Sequence, residues 1–442
     1  MMNNTITLLR QCRMQLRKDE VWRQVDFDAF LHDDMQAPTP EERCHKEVLC
    51  NIPDLDTYRI TLENGYYHDN ASHLPAGVTV RHFQASDHAR LAACLPGHLS
   101  RQFTTLRDEH QGKRIANPYL DINAEHYGDG LCIEVADGVS LDKPIQILSL
   151  IQGRQPQLLQ ARNLIIVGRH SQASFILCDD SLDQSASFSN NATGLLVQEG
   201  SSVELYKMQN LNDHSALLNQ TFAALEAHAT LRSMAITLNG GHIRNHTEVR
   251  MLGEGCDCQA HGLYLIDKEQ KADNYIFVEH SHPHCQSHEL FKGILDDSAR
   301  ATFNGHVLVS DGAVKTEAYQ TNRNILLTDK AHVETKPFLE IYNDDVKCSH
   351  GSTIGQLDEQ ALFYIRSRGI AERTAKTMLL YAFCDEVLRH IALPALRQRM
   401  ADMVKKRLHG ELNVCSDCAL HCSTPCNGEE AVKTFKIDVS SL

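Results

Sequence analysis

The sequence predicts a mainly β chain built around a β-solenoid, with a small helical or mixed domain before it and helices after it. Residues 125–356 consist of short apolar runs separated by Gly, Asp, Asn and Ser, with little helical periodicity. Within that stretch an eleven-residue pattern recurs about every 30 residues, as in repeat architectures. Helical patterns lie near both ends of the sequence. We therefore divide the 442 residues into an N-terminal domain (1–95), a solenoid (96–356), a C-terminal helical domain (357–412) and a Cys-rich tail (413–442).

The N-terminal domain contains two helix-like pieces. They are residues 20–31 (EVWRQVDFDAFL) and residues 86–95 (SDHARLAACL), and a polar, Pro-bearing connection separates them. The first part of the chain is therefore expected to form a small helical or mixed domain.

The repeated pattern carries a bulky apolar residue at its third place and a small residue at its seventh. The small residues are Ser171, Ser201, Ala229, Cys256, Ala299 and Ala331. A β-sandwich also alternates apolar residues and polar turns. A small residue at one fixed place favours the solenoid, because it would lie where each coil turns its corner. The ends of a solenoid must be capped or paired, so the fold predicts a partner chain.

The helical pattern returns after residue 357. Asp358 is placed to cap a first helix that stops at Gly369, where a left-handed residue fits. A second helix is expected over 372–390 and a third over 394–409. The second is apolar over most of its circumference, so the helices are expected to dock on the solenoid or on a partner.

Charge and composition exclude several functions. The formal net charge is −14, and no local basic patch interrupts it, so neither nucleic acid nor a membrane surface is an expected partner. The first residues resemble no export signal, and no apolar run is long enough to span a membrane. The sequence thus predicts a soluble, cytoplasmic protein whose 15 Cys are thiols rather than disulfides.

One candidate metal site is the motif Cys348-Ser349-His350. In an extended strand, Cys348 and His350 project from the same face. A thiolate and an imidazole suit iron or zinc, but two ligands are too few for a closed site, so another chain must supply the rest. The alternative is that Cys348 is a buried small residue and His350 a turn histidine. Leu339 and Ile341 are expected on the buried side of the same coil.

A second candidate metal site lies in the tail, where the thiols follow the spacing C-x2-C-x3-C-x3-C. They are Cys415, Cys418, Cys422 and Cys426. Four thiols so close together can bind one Zn²⁺ or one [4Fe–4S] cluster. The alternative is a redox-sensitive or unstructured extension.

Two further groups of His and Cys have simpler interpretations. The segment 280–288 (HSHPHCQSH) has the composition of a metal site, but surface histidines on a solenoid loop are the preferred interpretation. Cys256 and Cys258 are interpreted as core residues at a corner of the solenoid.

The segment 336–369 resembles the SufD members of the SufB/SufD family, which belong to the SUF iron–sulfur cluster assembly machinery. The residues that carry the resemblance are Lys336, Pro337, Leu339, Glu340, Ile341, the run DDVKCSHG at 344–351, Gly355, Phe363, Tyr364, Ser367, Arg368 and Gly369. Upstream, Lys292, Gly293, Phe303, Asn304, Gly305, Lys315 and Thr316 fit the same family. The resemblance is strong over residues 260–410, and the tail is an addition to the usual chain.

The resemblance implies a right-handed parallel β-helix that pairs with SufB through the β-helices, or with a second copy of itself. It also implies that the C-terminal helices hold the SufC ATPase, and that a nascent iron–sulfur cluster is built at an interface shared with the partner. His350 would then be a functional ligand, whereas for Cys348 both interpretations stay open. The subunit would have no catalysis of its own, and the sequence contains no Walker A motif.

Two other functions compete with this interpretation. A β-helix enzyme acting on polysaccharides would generally need export and aromatic sugar platforms, and this sequence has a single Trp. A self-contained metal or iron–sulfur carrier would instead use the Cys-rich tail. Retention of a cluster by the isolated chain would distinguish the carrier from the scaffold.

Overall fold

A computed structural model describes residues 2–44, 52, 54–71, 73–94 and 117–409 of the chain. It shows a parallel β-solenoid of about eight turns with helices near both ends of the sequence. The helices are α1 (Met2–Leu16), α2 (Asp87–Cys94), α3 (Pro118–His126), α4 (Glu359–Ser367), α5 (Glu372–Leu388) and α6 (Pro394–Leu408). The solenoid prediction is therefore confirmed, while the boundaries between domains stay a prediction.

The strands that precede the regular coils, and the first coils themselves, are β1 (Tyr58–Glu63), β2 (Tyr66–Tyr67), β3 (Val78–His82), β4 (Leu131–Val135), β5 (Ile145–Ile151), β6 (Gln157–Leu159), β7 (Arg162–Val167), β8 (Gln172–Ser181), β9 (Ser187–Val197) and β10 (Ser202–Asn210). The remaining strands are β11 (Ser215–Leu225), β12 (Thr230–Asn239), β13 (His242–Met251), β14 (Asp257–Ile266), β15 (Lys271–His280), β16 (Gln286–Leu295), β17 (Arg300–Val309), β18 (Glu317–Leu326), β19 (His332–Ile341) and β20 (Lys347–Gly355).

The coils stack into two long sheets. The first sheet runs β2-β1-β5-β8-β10-β12-β14-β16-β18-β20, and the second runs β19-β17-β15-β13-β11-β9-β7-β4-β3. All pairs are parallel except β1 with β2 and β3 with β4. Apolar side chains of both sheets, such as Leu205 and Val249, meet between them and form the interior core. Each sheet thus has an interior face and an outer face.

The small residues of the repeat lie at the corners, as the sequence predicts. Ser171, Ser201, Ala229, Cys256 and Ala299 are all at most 1% exposed. The residue before each of the first four has a left-handed backbone, and two of those residues are glycines. A Cβ on Gly200 would lie 2.4 Å from the ring of His170. The tight corner therefore explains both the small residue and the glycine.

The N-terminal region differs from its prediction in one respect. Residues 20–31 form no α-helix and contain only a short 3-10 turn at Asp28–Phe30. The segment is instead drawn onto the outer face of the second sheet, where Trp22 stacks on His246 at 5.1 Å and lies 4.2 Å from the guanidinium of Arg244. Packing on a flat sheet overrides the local helical pattern. The helix expected over 86–95 is confirmed as α2.

The C-terminal helices form where the sequence predicts them. The Asp358 carboxylate accepts hydrogen bonds from the backbone N–H groups of Gln360 and Ala361, at 2.9 and 3.0 Å. Gly369 has a φ of 84°, the left-handed value that ends a helix. No helix of the described residues is long and apolar enough to cross a membrane.

Helices α5 and α6 pack on the outer face of the first sheet, with Leu388 and Val404 fully buried. The fully buried Lys292 of β16 donates to the backbone oxygen of Phe383 at 3.1 Å and to the carboxylate of Glu386. Arg407 binds Asp267 at 2.8 Å. The docking surface of these two helices is therefore the solenoid itself, whereas no residue of α4 is buried.

Candidate functional site

The candidate site lies at the open end of the solenoid, formed by the last two strands, β19 and β20. Within the described residues, each of them pairs on one side only. Apolar side chains at this end remain exposed, among them Phe338 at 55%, Tyr342 at 53% and Ile354 at 46%. An end with unpaired backbone groups and exposed apolar side chains is suited to pairing with another chain.

Cys348 and His350 both face the interior side of β20. Cys348 pairs in register with Ala318, and His350 pairs with Gln320. Ala318 and Gln320 are buried inside the solenoid, and paired residues of parallel strands point to the same side. Because no later coil of the described residues covers β20, Cys348 is half-buried and His350 is exposed. The two side chains thus line a mouth at the end of the interior.

The thiol of Cys348 lies in a partly apolar environment. It packs against a buried cluster that includes Val307 and Val309. Burial raises the pKa of Cys348, so that the thiol is protonated at neutral pH. A bound metal ion would release this proton, because the thiolate is the ligand form. The assignment of Cys348 and His350 as ligands stays a prediction.

The turn that leads into β20 is held by hydrogen bonds and ion pairs. The backbone N–H of Lys315 donates to the oxygen of Asp345 at 2.7 Å, and the two side chains pair at 2.8 Å. Lys347 pairs with Glu317 at 2.8 Å. Across the mouth, the hydroxyls of Thr335 and Ser352 lie 2.8 Å apart and join β19 to β20. These contacts fix the strand that carries Cys348 and His350.

At this end the structure corrects the expected burial of two residues but not the face on which they lie. Leu339 and Ile341 were expected on the buried side of the coil, but Leu339 is only half-buried and Ile341 is 40% exposed. Both residues face the interior side of β19. They are exposed because β19 is the last strand of its sheet.

The other His and Cys candidates do not form a site in the described residues, which contain no group of three potential metal ligands. His284 and His288 are exposed, as expected of surface histidines. His280 and Cys285 are buried, and burial lowers the pKa of His280 to about 4. Cys256 and Cys258 are core residues, as predicted: they are also buried.

The four tail cysteines Cys415, Cys418, Cys422 and Cys426 lie outside the described residues. Their binding of zinc or a [4Fe–4S] cluster stays a prediction from their spacing alone.

A second candidate surface lies on the C-terminal helices, and we call it the helical patch. It consists of Phe363 and Tyr364 of α4 and Met378 of α5, which are 75%, 60% and 36% exposed. No residue of α4 is buried. The sequence pattern predicted an apolar surface on the second C-terminal helix, α5. The larger exposed apolar side chains, Phe363 and Tyr364, belong instead to α4.

Two protein-family models match the sequence of this chain. A family model described as "SUF system FeS cluster assembly, SufBD core domain" matches residues 149–383, more than half of the chain. A second, "SufBD protein N-terminal region", matches residues 2–147. Together they cover the solenoid and the region before it.

Individual relatives carry matching names. The chain is 32% identical to the iron–sulfur cluster assembly protein SufD of Escherichia coli over 63% of its own length and 66% of that protein. It is 27% identical to a SufBD family protein of Synechocystis over 90% and 89% of the two chains. A SufBD family protein of Mycobacterium leprae is 35% identical over 46% of this chain and 52% of its own. The match thus spans less than two thirds of two of these relatives.

Proposed function

The chain belongs to the SufBD family of the SUF iron–sulfur cluster assembly system, and from this premise we propose that it is a SufD-like, non-catalytic scaffold subunit. It pairs with SufB through the end of the β-helix and binds the SufC ATPase through its C-terminal helices. A nascent iron–sulfur cluster is its cargo, and the cytoplasm is its location. The observation that carries the proposal is the open end of the solenoid, where Cys348 and His350 face a mouth edged with apolar side chains.

Pairing with SufB is supported by the unpaired edges of β19 and β20. Another β-helix could add one strand to each sheet there, because an exposed edge offers free backbone donors and acceptors. The exposed Phe338, Tyr342 and Ile354 would then be covered. A second copy of this chain could use the same edge in a symmetric dimer, which is the alternative partner.

Binding of SufC is supported by the helical patch. Phe363 and Tyr364 are large aromatic side chains that remain mostly exposed within the described residues. No residue of α4 is buried. Aromatic residues at such exposed positions often dominate the free energy of protein–protein binding. In this proposal the ATPase activity belongs to SufC, and this chain offers the docking surface.

Cluster assembly is supported by the donor set at the mouth. The imidazole of His350 and the thiolate of Cys348 suit iron, and SufB would supply the remaining ligands across the interface. A cluster held at an interface between two chains can be built and released without a closed site in either chain.

The experiment that tests this proposal is co-expression with SufB and SufC of the same SUF system, followed by purification through a tag on this chain. We expect both partners to be retained in a stable complex. Recovery of the tagged chain alone, with SufB and SufC left in the unbound fraction, would contradict the proposal. A tagged SufB expressed without this chain serves as the control for partner solubility.

A further inference from the structure

A column of three polar side chains runs along the interior of the first sheet toward the open end. Glu289 of β16 pairs in register with Gln320 of β18, and Gln320 pairs with His350 of β20. All three therefore face the interior. We call Glu289, Gln320 and His350 the polar column.

The two inner members of the polar column are tightly held. Glu289 and Gln320 are 3% and 1% exposed, and the Nε2 of Gln320 donates to the Oε2 of Glu289 at 2.5 Å. From the opposite sheet, the backbone of Gly305 approaches so closely that a Cβ there would lie 2.1 Å from the Nε2 of Gln320. The glycine leaves room for the amide, and the amide is fixed between Gly305 and Glu289.

Glu289 lies in the interior, and no cationic side chain of the described residues pairs with it. Burial raises the pKa of Glu289 to about 8, so the carboxyl is mostly neutral at pH 7. A neutral carboxyl still accepts the hydrogen bond from the Gln320 amide. Its role in the column is therefore to orient that amide rather than to supply charge.

This arrangement leaves two buried oxygens of the column without a partner among the described residues, the Oε1 of Glu289 and the Oε1 of Gln320. The Oε1 of Gln320 is buried and accepts no hydrogen bond from the described residues. A buried acceptor without a donor destabilises the folded state, because it has lost its hydrogen bonds to water. The neighbouring strand is only about 4.8 Å away, and its in-register residue is His350. His350 is thus the residue beside Gln320 on the neighbouring strand, and its imidazole ring carries an N–H donor.

In the structure no hydrogen bond joins the side chains of Gln320 and His350. We propose that Gln320, held by Glu289, is a positioning residue for His350: when the exposed imidazole turns inward, the Oε1 of Gln320 accepts the N–H of one ring nitrogen and so directs the other nitrogen to the mouth. A neutral imidazole has one donor and one acceptor nitrogen. When the donor nitrogen is bound to Gln320, the lone pair of the other is free for iron. Metal-binding histidines commonly donate their second nitrogen to an oxygen in this way. The inference rests on the proposed role of His350 as a ligand.

The test compares the ring tautomer of His350 in four variants of the full chain. Gln320→Met keeps the length of the side chain and removes the acceptor, and Glu289→Leu releases the Gln320 amide. Glu289→Gln keeps an acceptor for that amide. Asn324→Leu is the matched control, because it removes another buried amide of β18 that lies in register with Ile354.

The tautomer is read from nitrogen chemical shifts of ¹⁵N-histidine-labelled protein, with the His350 signals identified by their loss in His350→Gln. We expect one tautomer in the wild type, in Glu289→Gln and in Asn324→Leu. Gln320→Met and Glu289→Leu should give a mixture of tautomers. In the assembled complex, the iron affinity of those two variants should fall about 10- to 100-fold.

A single, unchanged tautomer in both Gln320→Met and Glu289→Leu would overturn the inference, whatever the cluster yield. A mixture in Asn324→Leu as well would also overturn it, because the effect would then follow any loss of a buried amide. The proposed function fails by a different result, namely normal cluster formation with His350→Ala. The two failures are therefore distinguishable.

Discussion

Replacing His350 with Ala is expected to abolish cluster formation on the complex while leaving the subunit folded and the partners bound. The imidazole is exposed at the mouth, so its removal creates no buried cavity, and the loss of the hydrogen bond proposed with Gln320 should lower the free energy of unfolding by only about 0.5–1.5 kcal/mol. The cluster, by contrast, loses a ligand. Anaerobic reconstitution of the purified complex, followed by iron and sulfide analysis and visible absorbance, measures the effect.

Ser349→Ala is the matched control for this variant. Ser349 is exposed on the same strand and faces the opposite side, so its removal should leave the cluster yield unchanged. Cys348→Ser should have a smaller or variable effect than His350→Ala. A normal cluster yield with His350→Ala would show that His350 is structural. His280 and Cys285 would then be poor substitutes, because both are buried.

The double variant Phe363→Ser/Tyr364→Ser is expected to lose SufC while SufB pairing and cluster ligands remain. Each aromatic anchor of an interface is worth about 2 kcal/mol or more, which corresponds to about a 30-fold weaker Kd for each. Because no residue of α4 is buried, the free energy of unfolding should change little. Titration calorimetry with purified SufC gives the affinity, and a thermal melt gives the stability.

Leu388→Ala is the control, because it should lower the stability of the subunit and leave its affinity for SufC unchanged. Leu388 is fully buried between α5 and the solenoid, so its truncation should lower the free energy of unfolding by about 2–5 kcal/mol. The exposed helical patch would still be present. Wild-type affinity for SufC in the double variant would contradict the assignment of this patch. Deleting all residues after 356 is a less selective test, because it would also uncover the outer face of the first sheet.

The solenoid was predictable because its signal is local and repeated. A small residue such as Ser171 or Ser201 marks a corner, and corners recur with the length of one coil. The capped and terminated helix between Asp358 and Gly369 was predictable for the same reason. Residues 20–31 were not, because the contacts of Trp22 with Arg244 and His246 join residues more than 200 positions apart.

The candidate site was predictable only in part. The two-residue period of a strand places Cys348 and His350 on one face. It does not reveal that β19 and β20 are the last strands of their sheets, which decides whether interior-facing residues such as Ile341 and His350 are buried or exposed. Glu289 and Gln320 were missed. Gln320 lies one coil from Glu289 and one coil from His350, and this spacing was a usable signal once the register of the repeat was known.

The central claim is that the open end of the solenoid is the surface shared with SufB, and hydrogen–deuterium exchange tests it most directly. The exchange of backbone amides is compared between the isolated chain and its complex with SufB. We expect strong protection in the complex over β19 (His332–Ile341) and β20 (Lys347–Gly355), with no change in the central strand β11. A complex that forms while both terminal strands exchange as fast as in the isolated chain would contradict the claim.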